Sequence, residues 1–229
     1  MENKQIQENY RRISETIAET AVKSGRKPEE ITFLAVTKTV APELVNTAIA
    51  CGITVLGENR VQEYQSKKES YTKGVPVDFI GTLQSNKVKY IIGDMRLIQS
   101  VNKFSLAQEI ERCAAKLHLQ QDILLEINIG DEDSKSGLQP GVLPELLTQI
   151  AELEHVHVKG LMTIPPPCKD TSFLQAMQEL FLKTKELQIP DTEMCILSMG
   201  MSDDYAQAVQ YGSTLVRVGS ALFGARNYR

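Results

Sequence analysis

A lysine at the end of an apolar segment is the residue in this sequence best suited to covalent chemistry. Lys38 closes the run AVTK, where its side chain is either desolvated or extends the ammonium group to solvent. Burial disfavours the ammonium form of a lysine, and a neutral amine can attack a carbonyl group to form a Schiff base. The position alone favours neither possibility, so the rest of the sequence must decide between them.

Two segments near the C-terminus have a composition that can bind a phosphate. They are SMGMSDD over 198–204 and RVGSALFGAR over 217–226. Glycine lets the backbone approach an anion closely, and serine supplies hydroxyl donors. Ordinary turn chemistry would explain one such segment, whereas two of them at neighbouring strand ends favour an anion site.

Arg217 lies between Val216 and Val218 in an apolar run, so its side chain faces away from theirs. If the valines face surrounding helices, the guanidinium enters the interior, where it needs an acceptor. A pyridine nitrogen or a phosphate would serve. An internal ion pair with Glu126 or Glu58 is an equally good explanation.

Eight short apolar runs, each followed by a longer helical segment, predict a parallel sheet. The runs begin at Ile31, Thr54, Val77, Arg96, Asp122, His157, Cys195 and Leu215. Eight is the number of strands that closes a (β/α)₈ TIM barrel, and we expect a compact one; an open doubly wound sheet is the alternative. The carboxyl ends of barrel strands form the working face, and Lys38 and both glycine-rich segments lie at such ends.

The N-terminal segment has apolar residues at steps of three and four, which predicts a helix ending near Gly25. These residues are Ile6, Tyr10, Ile13, Ile17 and Ala21. We expect residues 1–25 to form a leading helix that packs on the barrel. No linker or repeat divides the rest, so the interpretation is one domain over residues 1–229.

Composition excludes several classes of protein. The 229 residues carry 25 Lys and Arg against 29 Asp and Glu, a net charge of −4, which disfavours nucleic-acid binding. No apolar stretch is long enough to cross a membrane and the N-terminus is polar, so we expect a cytoplasmic protein. The cysteines and histidines have no metal-ligand spacing, and no metal is predicted. Without coiled-coil heptads, a monomer is expected.

Seven motifs in order along the chain carry a resemblance to a known family. They are AVTK at 35–38, GENRVQE at 57–63, FIGTLQSNK at 79–87, SKSG at 134–137, GLMT at 160–163, LSMGMSDD at 197–204 and VRVGSALFGAR at 216–226. Together they resemble the YggS/PROSC family of pyridoxal-phosphate (PLP) homeostasis proteins. That family has a single barrel similar to the N-terminal domain of alanine racemase, the fold-type III architecture of PLP enzymes.

The resemblance implies a cofactor site. Lys38 would hold PLP as a Schiff base, Asn59 would lie beside the ring, and Arg217 would meet the ring nitrogen or the phosphate. The phosphate cradle would comprise Ser198, Met199, Gly200, Gly219 and Ser220, and Met162 and Met201 complete the expected contacts. The chain departs from the family's pattern at Asp78, where His is frequent, and at Ser220, where Thr is; we expect both changes to leave binding intact.

The function that the resemblance implies is PLP storage, buffering or delivery, with PLP-dependent apoenzymes as recipients. We expect little or no catalysis, because an arginine at the ring nitrogen weakens the ring as an electron sink and the sequence offers no further domain with a second base after the barrel. A weak amino-acid racemase with Lys38 as its base, or another fold-type III PLP enzyme, is the first alternative. A cofactor-free Schiff-base aldolase, in which Lys38 attacks a sugar-phosphate carbonyl, is the second.

Overall fold

The computed structural model describes residues 2–131, 136–166 and 170–224. Within them, eight strands form a closed barrel in sequence order. The strands are β1 (Thr32–Val36), β2 (Val55–Glu58), β3 (Val77–Phe79), β4 (Met95–Val101), β5 (Gln121–Ile127), β6 (Val156–Thr163), β7 (Thr192–Ser198) and β8 (Leu215–Val218). The predicted (β/α)₈ barrel is confirmed, and the open-sheet alternative is excluded.

An α-helix follows every strand except β3, after which the chain forms only a 3₁₀ helix, so the predicted longer helical segment is wrong at that position. The α-helices are α1 (Asn3–Lys23), α2 (Pro42–Cys51), α3 (Val61–Lys67), α4 (Phe104–Leu117), α5 (Leu143–Ala151), α6 (Ser172–Glu186), α7 (Tyr205–Gln210) and α8 (Ser220–Phe223). Helices α3 and α8 are too short to show a helical period in the sequence. Short 3₁₀ helices span Pro28–Glu30, Lys68–Ser70, Ser85–Tyr90 and Pro140–Val142.

The chain has two compact units, Met1–Val77 together with Met199–Arg229, and Asp78–Ser198. The interpretation as one domain over 1–229 stays a prediction. In the first unit, β1 pairs in parallel with both β2 and β8. Val36 lies opposite Gly57, and Ala35 lies opposite Val218. The three strands therefore end at nearly the same level.

In the second unit, β5 pairs with β4 and β6, and β6 pairs with β7. Gly160 makes the last pairing possible, because a Cβ there would lie 1.8 Å from the carbonyl oxygen of Ile196. Leu97, Leu124 and Met162 form a buried apolar cluster on three neighbouring strands. This cluster is part of the core that fixes the strands of the second unit.

The leading helix α1 packs against α2, α7 and α8 within the first unit, as predicted. Its residues Ile6 and Ile13 are fully buried. The Tyr10 ring stacks on Phe33 with centroids 5.9 Å apart, and Asn9 Nδ2 donates to the carbonyl oxygen of Leu222 at 3.0 Å. No described helix is both long and apolar enough to cross a membrane.

The burial of Ile13 makes α1 part of the core rather than an appendage. Replacing Ile13 with Ala should lower the free energy of unfolding by about 2 to 5 kcal/mol, because it leaves a cavity in a closely packed region. Val22, on the same helix, is 63% exposed, and Val22→Ala should change the same quantity by less than about 1 kcal/mol. Urea unfolding of both variants measures the difference. Equal effects would show that α1 does not contribute to the core.

Candidate functional site

Lys38 lies two residues beyond the end of β1, in a turn, and is half-buried. The sequence places it at the strand's end, but the strand ends at Val36. Thr37, next along the chain, is completely buried and its N–H donates to the carbonyl oxygen of Gly57 at 3.0 Å. The lysine therefore projects from a fixed turn rather than from a regular strand.

The shared level of β1, β2 and β8 brings three predicted site residues together. Lys38 follows β1, Asn59 follows β2 directly, and Gly219 follows β8 directly. Paired strands lie about 4.8 Å apart. An amine, an amide and a glycine backbone thus extend from adjacent strand ends of the first unit.

Asn59 has an acceptor atom that the protein does not use. Its Oδ1 is buried, and none of the described residues donates a hydrogen bond to it. Leaving a buried polar atom unpaired costs about 1 to 3 kcal/mol, and such an atom marks a position where a ligand's donor could bind. This observation agrees with the predicted role of Asn59 beside a bound molecule.

The segment after β8 presents two backbone donors to one oxygen. The N–H groups of Gly219 and Ala221 donate to Ser202 Oγ at 3.3 Å and 3.1 Å. Convergent backbone N–H groups are the usual device for binding an anion oxygen. Ser220, between them in sequence, is exposed. The sequence indicates Ser202 only as one of several hydroxyls, and its central position depends on a contact between two segments.

Gly200 is required by the backbone of the first unit. Its φ of +94° lies in the left-handed region, and a Cβ there would be 2.5 Å from Ala208 Cβ. Its carbonyl oxygen accepts the backbone N–H of Arg217 at 2.9 Å. Glycine at this position therefore allows the chain after β7 to lie against β8.

The residues on either side of Gly200 are fixed by their own main-chain bonds. Met199 is fully buried, and its carbonyl oxygen accepts from Ser213 Oγ at 2.8 Å. The N–H of Met201 donates to Asp204 Oδ1 at 2.6 Å. Both residues shape the segment that carries Ser202.

Arg217 is 3% exposed, and its neighbours Val216 and Val218 are fully buried. A buried guanidinium needs acceptors for its donors. The choice between a ring nitrogen, a phosphate and an internal carboxylate stays a prediction.

Two predicted contacts, Ser198 and Met162, belong to the second unit. Ser198 Oγ donates to Gln99 Oε1 at 2.7 Å, and Gln99 Nε2 donates to Asp78 Oδ2 at 2.7 Å. Arg96 completes this network with bonds to both Asp78 oxygens at 2.8 Å and 2.6 Å. Ser198 is thus part of a buried hydrogen-bond network, and Met162 is part of the apolar cluster with Leu97 and Leu124. Contact of either residue with a cofactor stays a prediction.

Glu58, which the sequence analysis names only as a possible ion-pair partner of Arg217, is a buried carboxyl that contacts the turn of Lys38. Glu58 is completely buried, and its Oε1 accepts from Thr37 Oγ1 and from the Tyr71 hydroxyl, each at 2.6 Å. Burial raises the pKa of Glu58, although these two hydrogen bonds and the charge of Lys67 lower it in part. Burial of the Tyr71 hydroxyl raises its pKa, and the charge of Glu58 and the hydrogen bond to it raise this pKa further.

Comparison with known proteins first identifies the structural class of this protein. The chain matches the family model described as "Alanine racemase, N-terminal domain" over residues 2–227. Alanine racemase of Clostridium difficile has the same fold with a TM-score of 0.76 at 16% identity, over 96% of this chain and 57% of that one. The family model and the shared fold therefore define a barrel of the alanine-racemase type.

Closer relatives give the family. The pyridoxal phosphate homeostasis protein of Aquifex aeolicus is 40% identical over 96% of this chain and 98% of its own. That of Escherichia coli K12 is 36% identical over 97% of both chains. The solved structure of PipY from Synechococcus elongatus with PLP bound has a TM-score of 0.79 at 33% identity, over 91% of this chain and 100% of that one. The chain belongs to the pyridoxal phosphate homeostasis protein family.

The raised pKa of Glu58 predicts a specific pH dependence of stability. An unfolded glutamate has a pKa of about 4.3, so the folded state binds this proton more tightly than the unfolded state. The contribution of Glu58 is fully present below that pKa and is lost as the pH rises through the raised folded pKa. Glu58→Gln does not titrate. The free energy of unfolding of the wild type, minus that of Glu58→Gln, should fall as the pH rises from about 4. Urea unfolding across pH measures it, and a constant or rising difference would contradict the assignment.

Proposed function

We propose that this protein binds PLP covalently through Lys38 and holds it for storage, buffering or delivery, with little or no catalysis of its own. The observation that carries the proposal is the common level of Lys38, Asn59 and the Gly219 backbone at three adjacent strand ends. The names of the relatives and the PLP bound in the PipY structure support it.

The residues of the first unit fit the chemical groups of PLP. When bound, PLP supplies an aldehyde that condenses reversibly with a primary amine. Lys38 carries such an amine, half-buried and therefore accessible to an incoming aldehyde. Asn59 Oδ1 offers an unused acceptor to a donor on the ring, and Arg217 offers a buried guanidinium to the ring nitrogen or the phosphate.

The phosphate would be held by the N–H groups of Gly219 and Ala221. Both already donate to a single oxygen, Ser202 Oγ, and a phosphate oxygen is a stronger acceptor than a hydroxyl. Ser202 would then turn its own hydroxyl toward the phosphate as a donor. Ser220 lies exposed between the two N–H groups in sequence and can add a further hydroxyl.

The remaining predicted contacts belong to the same proposal. Met199, Gly200 and Met201 would shape the backbone around the phosphate. The predicted cofactor contacts of Ser198 and Met162 remain part of the proposal. PLP-dependent apoenzymes as recipients, a cytoplasmic location and a monomeric state are also proposed. Reversible binding to an accessible lysine suits transfer to a recipient.

Removing the amine tests the covalent bond. Lys38→Ala should abolish the visible absorbance that PLP gives when joined to a lysine, while leaving the urea midpoint close to that of the wild type. Lys89→Ala removes an exposed lysine and should leave both unchanged. Borohydride reduction followed by peptide mass mapping should find the pyridoxyl group on Lys38. A group on another lysine, or absorbance retained in Lys38→Ala, would contradict the assignment; turnover of an amino acid by the wild type would favour a racemase-like enzyme.

Removing the Ser202 hydroxyl tests the phosphate cradle. Ser202→Ala should weaken PLP binding about tenfold, as expected for one lost hydrogen bond to a charged group. It should leave the weaker binding of pyridoxal, which has no phosphate, unchanged. Ser105→Ala, at an exposed position of α4, is the matched control. Fluorescence titration with both ligands measures the effect, and equal losses for PLP and pyridoxal would place the phosphate elsewhere.

A further inference from the structure

The proposed function uses one residue of the motif GENRVQE, Asn59, and leaves its two glutamates without a role. Both lie in the first unit and contact the turn that carries Lys38. Glu58 reaches the residue before Lys38, and Glu63 reaches the residue after it. The motif therefore holds Lys38 from both sides along the chain.

Thr37, on the N-terminal side of Lys38, is held by all of its polar groups. Its Oγ1 donates to Glu58 Oε1 at 2.6 Å, and its N–H donates to the carbonyl oxygen of Gly57. Its own carbonyl oxygen accepts from Lys67 Nζ at 3.4 Å. With these bonds in place, the peptide that enters Lys38 has one orientation.

Thr39, on the C-terminal side, has an unfavourable backbone conformation. Its φ is +60°, a left-handed value that is rare for a β-branched residue and costs of order 1 to 3 kcal/mol. Its N–H donates to Glu63 Oε1, a charge-assisted hydrogen bond. Contacts elsewhere must stabilise such a conformation, and this bond is one that acts directly on the strained residue.

Glu63 is itself built into the fold. Its carboxylate pairs with Lys67 one turn along α3, and the two side chains are only 17% and 15% exposed. Burial alone would raise the pKa of Glu63, but the hydrogen bonds from Lys67 and Thr39 and the charge of Lys67 hold it below its usual range. The exposed pair Glu69 and Lys73, a few residues on, has the same spacing at 78% and 74% exposure. Exposed pairs of this kind contribute little, whereas the Glu63 pair is sheltered.

We propose that Glu63, held by Lys67, is a positioning residue for Lys38: it keeps Thr39 in the left-handed conformation and so aims the lysine amine at the aldehyde of the cofactor. This inference rests on the proposed function and assigns Glu63 a part in it. Glu63 does not touch the reacting atoms. It acts through the peptide that leaves Lys38.

The test measures how fast Lys38 forms its covalent bond with PLP. Glu63→Ala should slow bond formation about tenfold, equivalent to about 1.4 kcal/mol in the barrier. The same slowing should occur with pyridoxal, because the defect lies at the amine and not at the phosphate. In a Lys38→Ala background, Glu63→Ala should leave the noncovalent affinity for PLP unchanged. Stopped-flow absorbance gives the rates.

Thr39→Gly supplies a readout that a general structural role would not change. Glycine adopts positive φ without a steric cost, so the turn no longer needs Glu63 to hold it. The slowing caused by Glu63→Ala should therefore be much smaller in the Thr39→Gly background than in the wild type. Glu63→Gln, whose amide oxygen can still accept the Thr39 N–H, should retain more of the rate than Glu63→Ala. Glu69→Ala is the matched control for loss of a Glu–Lys pair and should react at the wild-type rate.

Each outcome bears on the inference. A wild-type rate in Glu63→Ala, or an undiminished slowing in the Thr39→Gly background, would overturn the positioning role while leaving the proposed function intact. A wild-type protein that forms no bond between PLP and Lys38 would overturn both. If Glu63→Ala fails to fold, Glu63→Gln alone and combined with Thr39→Gly decides the question by the same rates.

Discussion

The parallel register of β1 against both β2 and β8 is the constraint on which the site depends. It sets Val36 level with Gly57 and Ala35 level with Val218, so the residues that follow the three strands emerge together. The amine and the amide, close to each other in sequence, thus emerge beside a pair of backbone donors from the far end of the chain. A slip of one residue in either pairing would move every side chain of that strand to its other face. The chemistry is thus a consequence of sheet register.

The position of Lys38 in a turn, rather than in a strand, reconciles two demands. The proposed function needs an amine that an aldehyde can reach, and Lys38 is half-buried. A reactive amine must also be aimed, because misplacement of a reacting group is costly in rate. The hydrogen bonds that fix Thr37 and Thr39 meet the second demand without burying the lysine. Because Thr37 and Thr39 are held in place, the amine of Lys38 can be oriented and still be accessible.

The sequence predicts the parts of this protein that have local signals. The strand runs, the long amphipathic helices and the position of Lys38 at the end of AVTK each depend on a pattern within a short stretch of sequence. Other features depend on contacts between distant segments and have no such signal. Three sets of hydrogen bonds are of this kind. They are the bonds from the Gly219 and Ala221 N–H groups to Ser202, from the Thr39 N–H to Glu63, and from Ser198 to Gln99. The same is true of Asp78. The sequence shows that Asp stands where the family frequently has His, but only the structure shows that Arg96 donates to both of its carboxylate oxygens.

The most direct test of the account is a crystal structure of the wild-type protein grown with PLP. We expect electron density continuous from Lys38 Nζ to the cofactor, phosphate oxygens within hydrogen-bond distance of the Gly219 and Ala221 N–H groups, and Thr39 still at positive φ. Cofactor density joined to a different lysine, or a phosphate that leaves those two N–H groups on Ser202, would contradict it.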